Sequence, residues 1–256
     1  MSGTVMNDVV HPVLLEARGL EIRFGGVIAA DGIDLSVREG ENLAIIGPNG
    51  AGKTTFLNIC TGYLRPKAGS VRFEGKEITA YEPRDITRLG IARAFQIPQL
   101  FTEQTVLENM LLAGAARARR WNPFRPLHNI PEHDEMIAML ELVGCVDYKD
   151  KRAGDLPEGH RKLVDIAIAL ALKPKLLLMD EPTSGVASAD KFDVMEILVA
   201  ALAKAKVSSV FVEHDMDMVQ RYASRVAVWS SGKILRLGPP SEVLNDAEVI
   251  RTVIGG

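Results

Sequence analysis

The sequence predicts an α/β fold: a parallel sheet with helices packed on it, a β-rich edge, and a helical lobe inserted into the core. Three observations predict it. Short apolar runs of strand length alternate with helical segments along most of the chain. A glycine-rich loop, Gly47 to Thr54, stands between an apolar run and a helical segment. The middle of the chain, about 97–156, reads as helices interrupted by prolines. The 256 residues suit one domain, 1–256, with that middle segment as its inserted part.

The elements follow in order. Residues 14–24 and 33–37 alternate apolar and polar, as strands at a sheet edge do. Residues 43–46 form a short apolar run suited to a strand buried on both faces. A helix is expected over 54–60, then short strands at 71–73 and 91–95. Amphipathic helices are expected over 105–116 and 134–143, separated by a stretch broken at Pro123, Pro126 and Pro131. The core resumes with a helix over 161–172, a buried strand at 176–179 and a helix over 190–203. Strands follow at 209–212, 226–229 and 233–237, and Ser241 is placed to cap a last helix through residue 253.

Composition narrows the function. With 47% apolar and 25% charged residues, a packed core is available. A net charge of -3 argues against binding nucleic acid through bulk positive charge, so no nucleic-acid partner is expected. Cys60 and Cys145 show no metal or redox spacing and read as small buried hydrophobes. His128 and His133 lie among Glu132, Asp134 and Glu135 and are read as a solvated loop rather than a metal site. Residues 1–10 do not read as a signal peptide. The most apolar stretch, 166–179, is broken by Lys173-Pro174-Lys175, short of the about 20 apolar residues of a spanning helix. A chain of this kind serves transport only by docking on a subunit that crosses the membrane.

The chemistry sits in two places. Gly47-Pro48-Asn49-Gly50-Ala51-Gly52-Lys53-Thr54 has the spacing of a phosphate-binding loop. Its glycines let successive N–H groups turn toward phosphate oxygens, and the following helix adds its positive end. Lys53 can reach β- and γ-phosphates, and the Thr54 hydroxyl can ligate Mg²⁺. The strand at 176–179 runs into Asp180-Glu181, two carboxylates at its carboxyl end. Asp180 is placed to hold Mg²⁺, and Glu181 to polarise an attacking water.

Gly47 to Thr55, Gln96, Asp180-Glu181-Pro182-Thr183 and His214 resemble, in order and rough spacing, the ABC ATPases, a P-loop NTPase family, over nearly the whole chain. The resemblance implies ATP and Mg²⁺ as cofactors and hydrolysis of ATP to ADP and phosphate. By it, Gln96 senses Mg²⁺ and the attacking water, His214 contacts the γ-phosphate, and Phe24 stacks on adenine; a core phenylalanine is the alternative for Phe24. Arg23-Phe24-Gly25-Gly26, Arg93-Ala94-Phe95-Gln96 through Leu100-Phe101, and Trp121-Asn122-Pro123 narrow the resemblance to the ATPase subunits of importers for branched-chain amino acids and related small polar solutes. That implies a second ATPase subunit, two transmembrane permease subunits, an indirectly acting solute-binding protein, and a place at the cytoplasmic face of the membrane. Other ABC systems, a soluble non-transport ABC ATPase, and a nucleotide-binding scaffold without turnover are the rivals.

Two motifs depart from the family. The signature, typically Leu-Ser-Gly-Gly-Gln, reads Leu156-Pro157-Glu158-Gly159-His160. Gly159 keeps its backbone N–H for the nucleotide, whereas Pro157 removes a hydroxyl and Glu158 adds negative charge. Like charges about 4 Å apart repel by ~1 kcal/mol in water and ~4 kcal/mol at an effective dielectric of about 20, which Arg161 and Lys162 are placed to offset. The D-loop, typically Ser-Ala-Leu-Asp, reads Ser184-Gly185-Val186-Ala187. Both departures fall on elements that act across an ATPase dimer, which implies a heterodimer with a second ATPase subunit. Arg117, Arg119, Arg120, Trp121 and Arg125 form a basic cluster, read as a membrane or partner contact, a nucleic-acid patch or a solvated loop.

Overall fold

The computed structural model describes residues 11–118 and 127–254. β1 (Val13–Phe24) and β2 (Val27–Arg38) make a long antiparallel pair. β3 (Asn42–Ile46) enters a second sheet, and α1 (Lys53–Cys60) leaves its carboxyl end. β4 (Ala68–Phe73) and β5 (Lys76–Glu77) return to the first sheet, whose order is β2-β1-β4-β5. α2 (Pro83–Leu89) and β6 (Ile91–Ala94) follow, then three helices, α3 (Val106–Ala118), α4 (His133–Leu142) and α5 (Glu158–Ala171). β7 (Leu176–Asp180), α6 (Lys191–Ala205), β8 (Ser208–Val212), α7 (Met216–Tyr222), β9 (Arg225–Ser230) and β10 (Lys233–Gly238) complete the second sheet. Its order is β10-β9-β3-β8-β7-β6, parallel except for the β9–β10 hairpin. Short helices α8 (Pro240–Val243) and α9 (Ala247–Val249) follow, and α9 runs on into a π-helical turn, Ile250–Ile254.

The period-two alternation of a strand explains the layers. On β3, Leu43 and Ile45 face one cluster with Leu15, Ile33 and Val37 of the antiparallel sheet and with Phe56 and Leu57 of α1. Ala44 and Ile46 face the other cluster, with Met110, Ile166 and Leu198 of the helices. β7 and β8 are buried along their whole length, and their apolar side chains fall at 176–179 and 210–212. Each such side chain contributes about 1.5–3 kcal/mol, against about 0–1 kcal/mol for a surface ion pair, so this buried sheet sets the frame. The sheet order then places the ends of β3, β8, β7 and β6 in a row at one edge, the usual ligand-binding side of a parallel sheet.

Several expectations are corrected. The strand expected at 33–37 begins at Val27, because pairing with β1 continues through irregular register to Phe24↔Val27. The helix expected from 161 starts at Glu158, directly after Pro157 at its N-cap. The expected last helix is broken: Ser241 lies inside α8 behind Pro240, and Asp246 caps α9 by accepting from the Glu248 and Val249 amides at 2.8 and 3.2 Å. Two helices were not anticipated. α2 starts at Pro83 and stops at Gly90 in a left-handed conformation, a proline-first and glycine-last pattern that was legible. α7 is capped by Asp215, which accepts from the Asp217 and Met218 amides.

The segment around His133 is not a loop either; His133, Asp134 and Glu135 form the first turn of α4. Glu135 binds Arg117 and Lys173, and Arg117 also donates to the Ala171 carbonyl at 2.7 Å. Arg117 therefore ties α3, α4 and the end of α5 together rather than standing free in a basic patch. Arg119, Arg120, Trp121, Asn122, Pro123 and Arg125 lie outside the described residues, as do residues 1–10. Cys60 and Cys145 are buried thiols, and burial pushes Cys145 up to about 12.

The Arg117 guanidinium is the main cause that holds the Glu135 carboxyl down, from an ordinary 4.5 to about 2. A depressed carboxylate stabilises the fold above its unfolded value and loses that contribution as pH falls through its folded value. Glu135→Gln should therefore lower unfolding free energy at pH 7 by about 1 kcal/mol. In urea titrations, the gap between parent and variant should close as pH falls from 4.5 toward about 2.

Candidate functional site

The loop after β3 is shaped by contacts to other strands. Gly47 has φ 148°, and a Cβ there would sit 2.2 Å from the Trp229 carbonyl oxygen of β9. Gly52 has φ 107°, and a Cβ would sit 1.9 Å from the Ala29 carbonyl oxygen of β2. Only glycine fits either place, so these two residues wedge the loop between two sheets. The Ala51 carbonyl accepts from Gly232, in the β9–β10 turn, at 3.1 Å. Pro48, Asn49 and Gly50 remain at the surface, while Ala51 is buried.

Lys53 and Thr54 open α1, with Thr55 partly buried behind them. The Lys53 side chain is buried and its Nζ donates to the Gly47 and Pro48 carbonyls at 2.6 and 2.9 Å, curling back over its own loop. Burial lowers its proton affinity, and the carboxylates of Glu181 and Asp180 act against that shift. The Thr54 hydroxyl donates to Asp180 Oδ1 at 3.3 Å. The strand-end carboxylate predicted from sequence thus meets the glycine loop.

Asp180 is held from its other side by Arg93 of β6. Arg93 donates to Asp180 Oδ2 at 3.2 Å, and both side chains are nearly fully buried. Arg93 also bonds Asn58 of α1 and lies 4.7 Å from the centre of the Phe95 ring. Arg93 lies in the family-like segment Arg93-Ala94-Phe95-Gln96, and no local signal in the sequence pairs it with Asp180.

Glu181 has a left-handed backbone, φ 52°, uncommon for a residue with a side chain. Its amide donates to the Val212 carbonyl at 3.2 Å. This geometry swings its carboxylate toward two neighbours. Gln96 Nε2 donates to Oε2 at 2.8 Å, and His214 Nε2 lies 3.0 Å from Oε1. A carboxylate only accepts, so Nε2 carries the hydrogen in that contact. Gln96 follows β6, Glu181 follows β7 and His214 follows β8, three strands adjacent in the sheet. Residues separated by 85 and 33 positions meet because their strands are neighbours.

Phe24 and Gly159 stand apart from this group. Phe24 ends β1 and is 47% exposed, so it is not a core phenylalanine. Gly159 lies in the first turn of α5, where a Cβ would meet Val194 and Val186. Glu158 pairs with Arg161, whereas Lys162 turns inward to the carbonyls of Gln96 and Glu181.

Comparison with known proteins decides the family. Residues 30–184 match the family described as ABC transporter. The chain belongs to the ABC transporter family. It is 36% identical, over 98% of its length and all of the relative's, to a probable branched-chain amino acid transport ATP-binding protein LivG of Methanocaldococcus jannaschii. It is 33% identical to the high-affinity branched-chain amino acid transport ATP-binding protein BraF of Pseudomonas aeruginosa, over 94% of this chain and 98% of that one. It also superimposes, with a TM-score of 0.83 and 34% identity, on the ADP conformation of an ATP-binding cassette of an ABC transporter, covering 96% of this chain and all of the other. The fold is that of the ABC ATPases, and ATP-binding subunits of this family hydrolyse ATP to power transport.

In this ABC ATPase the Lys53 ammonium lies on the carbonyls of the loop that would receive phosphate. Lys53→Ala should weaken ATP binding by about 1.5–3 kcal/mol, roughly 10- to 150-fold. Calorimetric titration with ATP checks it; an affinity within about two-fold of the parent would contradict the assignment.

Proposed function

We propose that this chain is the nucleotide-binding subunit that powers a membrane importer for branched-chain amino acids or related small polar solutes. The convergence of Gln96 and His214 on Glu181, beside Thr54 and Asp180, carries the reading. The names of the LivG and BraF relatives support the solute class.

Thr54, Asp180 and Gln96 are the residues that would hold Mg²⁺. Thr54 Oγ1 and Asp180 Oδ1 are hard oxygens 3.3 Å apart, which suits a hard cation that is met by few protein ligands and several waters. Bound there, Mg²⁺ would neutralise charge on the β- and γ-phosphate oxygens. Gly47, Pro48, Asn49, Gly50, Ala51, Gly52, Lys53, Thr54 and Thr55 would cradle the phosphates, and exposed Phe24 would offer its face to adenine. Glu181 takes a proton from the attacking water, and His214 contacts the γ-phosphate. Each Glu181 oxygen accepts one hydrogen bond, from Gln96 or His214, and keeps a second lone pair for the proton of the attacking water.

Residues about 97–156 act in this reading as the inserted helical subdomain of a single domain, 1–256. No helix among the described residues is long and apolar enough to cross a membrane. The chain sits peripherally at the cytoplasmic face, on two permease subunits, with a solute-binding protein acting through them. Tyr63, Ile97 and Phe101 are exposed apolar residues close to the Gln96 loop and supply a contact for such a partner. ATP would be sandwiched between the P-loop of one ATPase subunit and Gly159 of the other. Pro157, Glu158 and Ala187 weaken what this chain offers across that interface, so its partner is a different ATPase subunit.

Glu181→Gln should retain ATP binding while phosphate release falls by about 100-fold or more, because an amide cannot take the proton. Unchanged turnover would remove Glu181 from its role. The heterodimer has its own test. The chain alone should hydrolyse ATP slowly, and adding the second subunit should raise turnover more than additively. Restoring Pro157→Ser, Glu158→Gly and Ala187→Asp together should raise the rate of the chain alone; no gain, with the chain alone as fast as the assembly, would overturn the asymmetry.

A further inference from the structure

α5 carries two buried charges that the hydrolytic group does not account for. Lys162 is 2% exposed and Asp165, one turn on, is 7% exposed. They lie on the inner stripe of the helix with Ile166 and Ala169, where charge is costly unless it is used. Lys162 Nζ donates to the Gln96 carbonyl and, at 3.3 Å, to the Glu181 carbonyl. Burial lowers its proton affinity, and Glu158, Asp165, Glu181 and Asp180 act to keep it charged. Asp165 accepts from the Gln99 amide at 3.3 Å through Oδ1, while its Oδ2 is buried without a hydrogen-bond partner. A cation grips the carbonyl that starts the 96–99 loop, and an anion grips the amide that ends it.

The contacts reach the strained point of the site. Glu181 holds φ 52°, a conformation that costs a residue with a side chain about 1–3 kcal/mol unless its surroundings impose it. Its amide is fixed by Val212 and its carbonyl by Lys162. Lys162 therefore holds the backbone of Gln96 and of Glu181 at once, and those side chains bond each other at 2.8 Å. The same helix begins at Glu158 and Gly159, the segment that faces the second subunit's nucleotide in the reading above.

The geometry points to Lys162, backed by Asp165, as the positioning residue that sets Gln96 and Glu181 for hydrolysis and transmits movement of α5 to them. This rests on the reading of Glu181 and Gln96 as hydrolytic. Lys162 acts through the two carbonyls. If α5 shifts when a second subunit closes on it, the grip on Gln96 and Glu181 shifts with it.

The test uses the full-length chain and four variants, Lys162→Met, Lys162→Arg, Asp165→Asn and Glu181→Gln. Steady-state phosphate release, ATP affinity by calorimetry, and hydrogen exchange of the peptide containing residues 95–99 are read for each. Lys162→Met should lower kcat by about 10- to 100-fold, as expected when a reacting group is misplaced by about 1 Å. ATP affinity should stay within about three-fold of the parent, and exchange over residues 95–99 should quicken. Lys162→Arg should recover part of kcat and part of the protection. Asp165→Asn should loosen the same peptide, and it decides the matter should Lys162→Met not fold. Unchanged kcat in Lys162→Met with Glu181→Gln inactive would overturn the inference and leave the hydrolytic reading standing. A Glu181→Gln variant as active as the parent would overturn both. Loss of kcat with unaltered exchange over 95–99 in Lys162→Met and Asp165→Asn would also overturn it.

Discussion

The buried carboxylate of Asp180 is the constraint from which the rest of the site can be followed. It stands at the carboxyl end of the fully buried strand β7, away from water, where an unpaired charge is expensive. Arg93 from the neighbouring strand supplies the countercharge, and the Thr54 hydroxyl supplies a hydrogen bond. Removing one partner from such a pair costs about 3–5 kcal/mol, more than the pair itself contributes, because the other charge is left stranded. β6, β7 and the start of α1 are therefore locked to one another at the point where the proposed nucleotide chemistry sits. A cation brought to Asp180 would meet a carboxylate whose charge Arg93 already balances.

Around that pair the backbone is held in conformations that ordinary residues avoid. Gly47 and Gly52 pass within contact distance of carbonyl oxygens on β9 and β2, so the P-loop takes its shape from both sheets rather than from its own sequence alone. Glu181 adopts a left-handed conformation with a full side chain, fixed by Val212 and Lys162. Strain of this kind persists only where the surroundings over-determine it. Here it turns Glu181 away from the line of β7 and toward Gln96 and His214.

Of the departures from the family motifs, the charge added by Glu158 has a local explanation. Glu158 pairs with Arg161 on the same helix face, which offsets part of its charge before any phosphate comes near. The carboxylate also lies close to Gly185 of the altered D-loop, where a Cβ would meet Glu158 Cγ at 3.2 Å. The two altered motifs are thus in contact within one chain, and a side chain at residue 185 would crowd Glu158. Nothing in the structure explains Ala187.

Sequence alone determined the local devices: the glycine loop between a buried strand and a helix, the two carboxylates ending an apolar run, and the alternation that makes a parallel sheet. These are readable because each depends on neighbours within a few residues. The same locality makes α2 legible from Pro83 and Gly90. What only the tertiary structure decided is which distant residues meet. Gln96, Glu181 and His214 converge because β6, β7 and β8 are adjacent in the sheet, and strand order is not written in any one segment. Arg93 finds Asp180 for the same reason. Lys162 and Asp165 receive their partners only from the packing of α5 against the 96–99 loop. Local propensity is a property of the chain; the pairing of buried charges is a property of the packing, and the site is made from the second.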